Sequence, residues 1–130
     1  MTALTDEARA LFTGPNIAHV ATLLPDGGPH SVPVMIDIDG GYLAFFTSPG
    51  SRKGRNLVAD DRIAISVTDR DDWIRSALVR GRVVKRVAGD AGWEIVDRIF
   101  AKYTGGPYPR GEDREVFLVE PAHVIVPTFG

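Results

Sequence analysis

The stretch IAHVATLLPDGGPHSVPVMIDIDGGYLAFF, residues 17–46, contains three apolar segments that are separated by two turn sequences. The first segment, residues 17–24, is closed by PDGG, which is strong β-hairpin chemistry. The second segment runs over about residues 30–38, and DGG then turns the chain into the third, residues 42–46. Two hairpins in succession predict an antiparallel meander.

More strands follow the meander, and helices are inserted between them. The apolar patterns predict strands at residues 62–68, 73–87 and 115–126, and helices at residues 5–12, at residues 90–103 and in the segment that ends near residue 60. Gly81, in the middle of the longest strand, predicts a bulge or a close approach of two backbones. Because the helices do not alternate with the strands, the sequence predicts a mostly β (α+β) fold in which a six-stranded antiparallel sheet closes into a barrel.

The composition restricts the class of protein. The chain has 130 residues, of which 44% are hydrophobic, and this suits one domain over residues 1–130 with a core of its own. A net charge of −2 gives no global basic field that would draw the chain to nucleic acid or to an anionic membrane. The chain has no cysteine, which excludes disulfides, thiolate nucleophiles and iron–sulfur clusters.

Neither a membrane span nor a secretory signal is predicted. No apolar run approaches the roughly 18 residues that a transmembrane helix needs. Residues 1–12 are acidic and helix-prone, whereas a secretory signal is basic and then apolar. We therefore expect a cytoplasmic protein.

The clearest functional signal is TSPGSRKGRNL, residues 47–57, between the third segment and the helix that follows it. Hydroxyls, glycines and three cations meet at a helix start, where free backbone N–H groups and the helix dipole favour an anion. Ser48 or Ser51 can cap this helix, and Lys53 in its first turn opposes the dipole unless an anion is present. The pattern indicates a phosphate site. A solvated helix face is the alternative interpretation of the same cations.

Two common phosphate motifs are excluded. Gly50 and Gly54 are too close together for a Walker motif, and no Gly-Lys-Ser/Thr follows. The dinucleotide fingerprint G-x-G-x-x-G does not occur, and the sheet is not predicted to be parallel. Hydrolysis of nucleoside triphosphates is therefore not indicated.

Pro33 interrupts a segment that otherwise has the pattern of a strand. Proline cannot donate to a β ladder, so this position predicts a sheet edge or an interruption. Backbone groups freed beside it can meet the polar rim of a flat heterocycle, while Val32, Val34 and Met35 supply apolar contact. An ordinary edge proline is the alternative interpretation.

No protein group has the pattern of a catalytic residue or a metal site. The three histidines lack metal-binding spacings, no G-x-S-x-G elbow occurs, and the carboxylates of residues 69–72 are expected to project from a turn into water. Trp73 follows this turn, either as a packing residue or as a cover for a ring site in a neighbouring subunit. If the protein catalyses a reaction, we expect a bound cofactor to carry the chemistry.

Several sequence pieces occur in a fixed order along nearly the whole chain. They are IAHVAT (17–22), PDG (25–27), PHSVPV (29–34), FTS (46–48), RKGRNL (52–57), DDRIA (60–64), Trp73, Gly81 and HVIVP (123–127). In this combination the chain resembles the pyridoxamine-5′-phosphate-oxidase-like flavin-binding split β-barrels. The resemblance implies a split β-barrel with inserted helices.

The same resemblance implies a homodimer with two cofactor sites at its interface, each holding coenzyme F420, a deazaflavin, or FMN. It implies that the phosphate is bound by Thr47, Ser48 and Lys53, with help from Arg52 and Asn56. It further implies that the ring lies against Val32, Pro33, Val34 and Met35, and that Trp73 approaches from the second chain. It implies no catalytic protein residue and no metal ligand.

Within this family, the pattern Lys-x-Arg-Asn-Leu at residues 53–57 is similar to the deazaflavin-dependent reductase branch. Pyridoxamine phosphate oxidases carry a basic C-terminal substrate segment, whereas this sequence ends in VPTFG, residues 126–130, so we do not expect vitamin B6 oxidation. The resemblance thus implies hydride transfer from reduced F420 to an activated small-molecule acceptor. An FMN-binding oxidoreductase of the same fold and a non-catalytic cofactor-binding module are the alternatives.

Overall fold

The computed structural model describes residues 2–127. In chain order its elements are α1 (Asp6–Thr13), β1 (Ala18–Leu23), β2 (Pro29–Val34), β3 (Ile36–Asp39), β4 (Tyr42–Thr47), α2 (Arg52–Ala59), β5 (Arg62–Thr68), β6 (Ser76–Val87), α3 (Gly89–Thr104) and β7 (Glu115–Ile125). The predicted antiparallel β-fold with inserted helices is confirmed, since every described strand pairing is antiparallel. Residues 128–130, which end the VPTFG stretch, lie outside the described residues.

The meander over residues 17–46 forms as predicted, with one correction. The segment predicted as a single strand over residues 30–38 is two strands. The reason is that the chain pairs with β1 as far as Val34 and with β4 from Ile36 onward. Met35 lies at this break, so the sheet has seven strands where the sequence predicts six.

The order of the strands explains how the sheet closes. Across the sheet the order is β2-β1-β5-β6-β7-β4-β3, so β2 and β3 are its two edges. Since only Met35 separates these two strands along the chain, the two edges meet there, although no ladder joins them in the described sheet. The result is a barrel that is split between β2 and β3, and Pro33 lies in an edge strand, as predicted.

Two hydrophobic clusters hold the elements together. The larger cluster lies inside the barrel, and α1 contributes Ala8, Leu11 and Phe12 to it. The smaller cluster lies between α3 and the outer faces of β4 and β7, and it contains Val96 and Ile99 of the helix. Full burial of an aliphatic or phenyl side chain stabilises a fold by about 1.5–3 kcal/mol, so these clusters account for the docking of both helices.

The predicted close approach at Gly81 is confirmed. The register between β6 and β7 shifts between Arg80 and Gly81, which marks a bulge. A Cβ atom on Gly81 would lie 2.1 Å from the Glu120 carbonyl oxygen, a distance that real Cβ atoms do not show. Glycine is therefore required at the bulge where the backbones of these two paired strands approach closely.

The prediction that the sixth strand begins at Trp73 is wrong, because β6 begins at Ser76. The preceding residues form a turn in which the Asp69 carboxylate accepts backbone N–H groups of the turn and contacts the Arg75 guanidinium at 3.0 Å. The Arg75 N–H is also bonded to the Asp72 carbonyl. These local bonds satisfy the backbone without a strand partner.

Side chains and backbone geometry set the ends of the helices. The Thr5 hydroxyl accepts the Ala8 N–H at the start of α1, at 3.2 Å. The last helix ends at Thr104 and is capped by Gly105, whose φ of 85° lies in the left-handed region that favours glycine. Among residues 2–127, no helix has both the length and the apolar character that crossing a membrane requires.

Candidate functional site

The junction between β4 and α2 is held by hydroxyl groups. Thr47, the last residue of β4, donates its hydroxyl to the Ser51 Oγ at 3.0 Å. Ser51 is the N-cap of α2, and its Oγ accepts the Gly54 N–H at 3.1 Å. A Cβ atom on Gly54 would lie 3.1 Å from that oxygen and 3.6 Å from the ring of Phe117 in β7. The first turn of α2 therefore packs tightly on the sheet. The strand end and the helix start therefore meet at one point.

Ser48 lies in the turn between these two elements. Its carbonyl accepts the Ser51 N–H at 3.1 Å. Gly50 has a φ of 82°, which glycine adopts without strain and which completes the turn. The side chain of Ser48 is half-buried beside the helix start. The structure thus brings Thr47, Ser48 and Ser51 together, as the sequence predicts.

Lys53 is the second residue of α2 and the most informative side chain of the junction. It forms no hydrogen bond or ion pair within residues 2–127, and no carboxylate of the described chain neutralises it. Burial lowers the pKa of its ammonium group from the ordinary value of 10.5. A cation at the positive end of a helix is unfavourable without an anion. The junction therefore has the charge and the donors to accept an anionic group.

Arg52 and Asn56 are linked by one hydrogen bond and anchored to the sheet by a second. The Arg52 Nε donates to the Asn56 Oδ1 at 3.0 Å. The Asn56 Nδ2 donates in turn to the Thr22 Oγ1 of β1 at 3.0 Å, and both Asn56 and Thr22 are buried. Asn56 thus lies behind Arg52 and orients it. Thr22 was not predicted, because a threonine within a strand carries no local signal of this contact.

The predicted ring segment lies next to this junction. Ile36, which directly follows it, pairs with Phe45, two residues before the end of β4 at Thr47. Val34 is buried, and Val32 packs against the same core cluster, so their side chains face the barrel interior. Pro33 is exposed on the edge strand. What this edge offers to a ligand is therefore Pro33 and unpaired backbone.

Met35 lies at the break itself and packs against the cluster under α3. Phe46 belongs to the same cluster and forms an edge-to-face contact with Tyr108, with ring centroids 5.3 Å apart. The break is therefore supported from the helix side. The cluster keeps the ring segment beside the strand end that leads into the junction.

Trp73 is the one predicted site residue that stands apart within one protomer. It lies in the turn before β6 and is 78% exposed. No hydrogen bond or ring contact joins its side chain to residues 47–57 in the described part of the chain. Its assignment to the site of a second chain stays a prediction.

A groove lined by arginines runs from α2 along the outside of the barrel. A pocket of about 280 Å³ is lined by Arg52, Arg55 and Arg62, and Arg55 has no ion-pair partner among residues 2–127. A second pocket, of about 380 Å³, contains Arg80 and shares Leu23 and Arg62 with the first. The two pockets therefore adjoin. This groove could not be predicted from the sequence, because its arginines come from separate elements.

The ion pairs of this groove occupy only some of its arginines. Arg62 contacts Asp60 at 2.6 Å, and its hydrogen bonds lower the pKa of Asp60 to about 2. Arg82 contacts Asp61 at 2.5 Å. Among residues 2–127, no group of three or more histidine, aspartate or glutamate side chains could hold a metal ion.

Comparisons with known proteins identify the family and the structures that this chain is similar to. A profile of the family described as pyridoxamine 5′-phosphate oxidase matches residues 4–126. An F420 reductase of known structure is 30% identical, with a TM-score of 0.82, and the match covers 93% of this chain and 98% of that one. No curated protein matches the chain.

Two more distant structures share the fold. A FAD-binding protein from Mesorhizobium loti is 19% identical, with a TM-score of 0.64 and coverage of 91% of this chain and 89% of that one. A conserved hypothetical protein from Mycobacterium tuberculosis is 22% identical, with a TM-score of 0.70 and coverage of 83% and 74%. At these identities the likeness concerns the fold alone.

Proposed function

The chain belongs to the pyridoxamine 5′-phosphate oxidase family, and on that premise we propose that it is an oxidoreductase that uses coenzyme F420. Its predicted reaction is the transfer of a hydride to an activated small-molecule acceptor. Family membership and the similarity to an F420 reductase support a flavin or deazaflavin oxidoreductase as the general class. The choice of F420 within that class is the proposal.

The observation that carries the proposal is the unpaired ammonium group of Lys53 at the start of α2. Its pKa is lowered by burial, and no carboxylate of residues 2–127 compensates its charge. Thr47, Ser48 and Ser51 place hydroxyl and backbone groups at the same point. This donor set fits a cofactor phosphate, because charge-assisted hydrogen bonds from lysine and free N–H groups at a helix start are what phosphate oxygens accept.

The groove beside α2 favours F420 over FMN. F420 has an acidic tail beyond its phosphate, and such a tail needs cations that are not already paired. Arg52 and Arg55 line the pocket next to the junction, and Arg55 has no partner in the described chain. FMN is the second candidate, because the donor set of the junction suits its terminal phosphate equally well.

The residues of the chain position the cofactor and exclude water. Lys53 and the hydroxyls fix the phosphate end, while Pro33 and the open edge of β2 meet the ring. A bound reduced deazaflavin supplies the hydride. The proposed site residues include no carboxylic acid or histidine, and we assign no acid–base role to a side chain. A cofactor-binding module without turnover is the alternative.

We further propose a homodimer with a cofactor at each end of its interface. The protomer exposes the large apolar side chains of Trp73, Ile74 and Ile125. Burial of these side chains against a partner chain would stabilise a dimer. A partner chain would bring the exposed tryptophan of one copy to the ring of the other. This architecture predicts two equivalent sites per dimer.

Titration of the purified protein with F420 and with FMN tests the choice of cofactor. We expect tighter binding of F420, with one cofactor per chain, measured by calorimetry or by fluorescence of the ligand. Preference for FMN by tenfold or more would overturn the proposal in favour of the second candidate.

Single-turnover oxidation of the bound reduced cofactor separates an enzyme from a storage module. Reduced F420 on the protein is mixed with a panel of enones and quinones, and its oxidation is followed by absorbance. We expect at least one acceptor to react faster than it does with free reduced F420. No acceleration for any acceptor would indicate storage.

A further inference from the structure

The C-terminal end of α3 reaches the break in the edge strand through the Tyr103 hydroxyl. This hydroxyl accepts the Ile36 N–H at 3.1 Å and donates to the Asn16 carbonyl at 2.7 Å. Ile36 is the first residue of β3 and is fully buried, so its N–H has no access to water. A buried N–H group without a hydrogen-bond partner is unfavourable. The Tyr103 hydroxyl supplies the partner at the point where the chain changes from β1 to β4.

Lys102, which precedes Tyr103 in α3, also binds the backbone of Ile36. Its Nζ donates to the Ile36 carbonyl, and also to the Phe12 carbonyl at 3.0 Å. Asp37 lies 3.7 Å from this ammonium group, so the cation also has a carboxylate nearby. Both backbone polar groups of Ile36 are therefore bound by side chains of α3.

The surroundings suit a stable hydrogen-bonded clamp. Burial raises the pKa of the Tyr103 phenol from 10.0, so the phenol stays neutral and can donate and accept at the same time. Burial lowers the pKa of Lys102 from 10.5, and Asp37 opposes this change.

The clamp acts on the segment to which we assign the cofactor ring. Met35 directly precedes Ile36, and the open edge of β2 ends one residue earlier, at Val34. Neither Tyr103 nor Lys102 is hydrogen-bonded to residues 47–57 in the described chain. Different hydrogen bonds therefore hold the two ends of the proposed cofactor site.

We propose that Tyr103, assisted by Lys102, is a positioning residue for the cofactor ring. Its hydroxyl fixes the direction of the chain at the break, so that the open edge of β2 faces the ring. This inference rests on the proposed function, because the ring belongs to the proposed cofactor. It adds a residue that touches neither the phosphate nor the ring.

The test replaces Tyr103 by phenylalanine and uses Tyr42→Phe as the matched control. Tyr42 is also half-buried against the cluster under α3, but its hydroxyl forms no hydrogen bond in the described chain. Dissociation constants are measured for FMN and riboflavin, and for F420 and its deazaflavin without the phosphate. The ratio of the two constants isolates the contribution of the phosphate for the FMN pair, and of the phosphate together with the acidic tail for the F420 pair.

We expect Tyr103→Phe to weaken both members of a pair by the same factor, at least about fivefold and up to about fiftyfold, the limit reached when the whole free energy of the lost hydrogen bond goes into restoring the position of the β2 edge in the complex. The ratio should stay within about twofold of that of the original protein, and the absorbance band of the bound ring should shift. Tyr42→Phe should change neither. Unchanged affinities in Tyr103→Phe, or a loss confined to the phosphorylated member, would overturn the inference.

Hydrogen exchange in the ligand-free protein keeps this test separate from the test of function. We expect the Ile36 amide to exchange at least about tenfold faster in Tyr103→Phe, and at the original rate in Tyr42→Phe. Unchanged exchange would overturn the positioning role even if cofactors bind. Faster exchange in a protein that binds none of the four ligands would overturn the proposed function and with it the role toward the ring.

A second variant covers the case in which Tyr103→Phe does not fold. Lys102→Met keeps the apolar stem of the side chain and removes the ammonium from the Ile36 carbonyl. The same affinity ratios and the same exchange measurement apply to it, with the same expected directions. Affinities and exchange that match those of the original protein would overturn the assisting role of Lys102.

Discussion

Replacement of Lys53 by alanine removes the charge on which the phosphate assignment depends. In the free protein this ammonium group has no partner among residues 2–127, so no protein contact is lost with it. In the complex it would form one charge-assisted hydrogen bond, worth roughly 1.5–3 kcal/mol. The group is half-exposed, and solvent screening places the effect toward the lower end of this range. We expect the dissociation constant of the cofactor to rise by at least about tenfold and by less than about a hundredfold.

The assay is a fluorescence or calorimetric titration with F420 and with FMN, and Lys85→Ala is the control. Lys85 lies exposed on β6 and has no ion pair in the described chain, so it shares the residue type without the location. The control should bind both cofactors as the original protein does. A Lys53→Ala dissociation constant within about twofold of the original would refute the phosphate assignment.

The lowered pKa of Lys53 adds a dependence on pH with a definite sign. Its charge, and hence its contribution to binding, is complete below the pKa in the folded protein and is lost as the pH rises through that value, which lies below 10.5. Affinity should therefore begin to fall before pH 10.5, and only in proteins that keep this lysine. For the free energy of unfolding the sign is opposite. The charge of this partly buried ammonium group destabilises the native state at neutral pH, and this destabilisation disappears as the pH rises from the pKa in the folded protein to 10.5. Lys53→Ala should therefore not lower the free energy of unfolding at neutral pH.

Three further substitutions test the fold and the assembly. Gly81→Ala should lower the free energy of unfolding by about 2–4 kcal/mol in urea denaturation, because its Cβ would meet the Glu120 carbonyl. Gly106→Ala is the control and should lower it by less than about 1 kcal/mol, because a Cβ there would have no atom within 4 Å. Asn56→Ala should lower the free energy of unfolding by about 1–3 kcal/mol, because its buried hydrogen bond to Thr22 is lost, and should weaken cofactor binding severalfold. An unchanged free energy of unfolding would contradict the role of Asn56 as a link between α2 and the sheet. Trp73→Ala should leave the protomer equally stable but weaken the dimer in light scattering at micromolar concentration, and an unaffected dimer would count against its place at the interface.

Most of the fold could be predicted because its boundaries carry local signals. The PDGG turn defines the first hairpin, and Thr5 and Ser51 are capping residues whose chemistry is visible in the sequence. The break at Met35 has only an indirect signal in Pro33, which predicts an edge or an interruption but not the point at which the chain changes strand partner. It arises from a change of strand partner and from contacts with Tyr103, 67 residues from Ile36. A long-range effect of this kind leaves no local pattern.

The candidate site likewise has one part that could be predicted from the sequence and another that could not. Residues 47–57 could be predicted because the strand end, the cap and the first helical turn are contiguous in the chain. Thr22 could not be predicted as the anchor of Asn56, because 34 residues separate them. The groove beside α2 requires Arg55 and Arg62 to come from different elements, and only the folded chain brings them to one pocket.

A crystal structure of the protein with bound F420 tests the central claim most directly. The account predicts a phosphate oxygen within about 3 Å of the Lys53 Nζ and the ring against the open edge of β2 near Pro33. A phosphate bound instead in the outer pocket at Arg80, with Lys53 still unpaired, would contradict it.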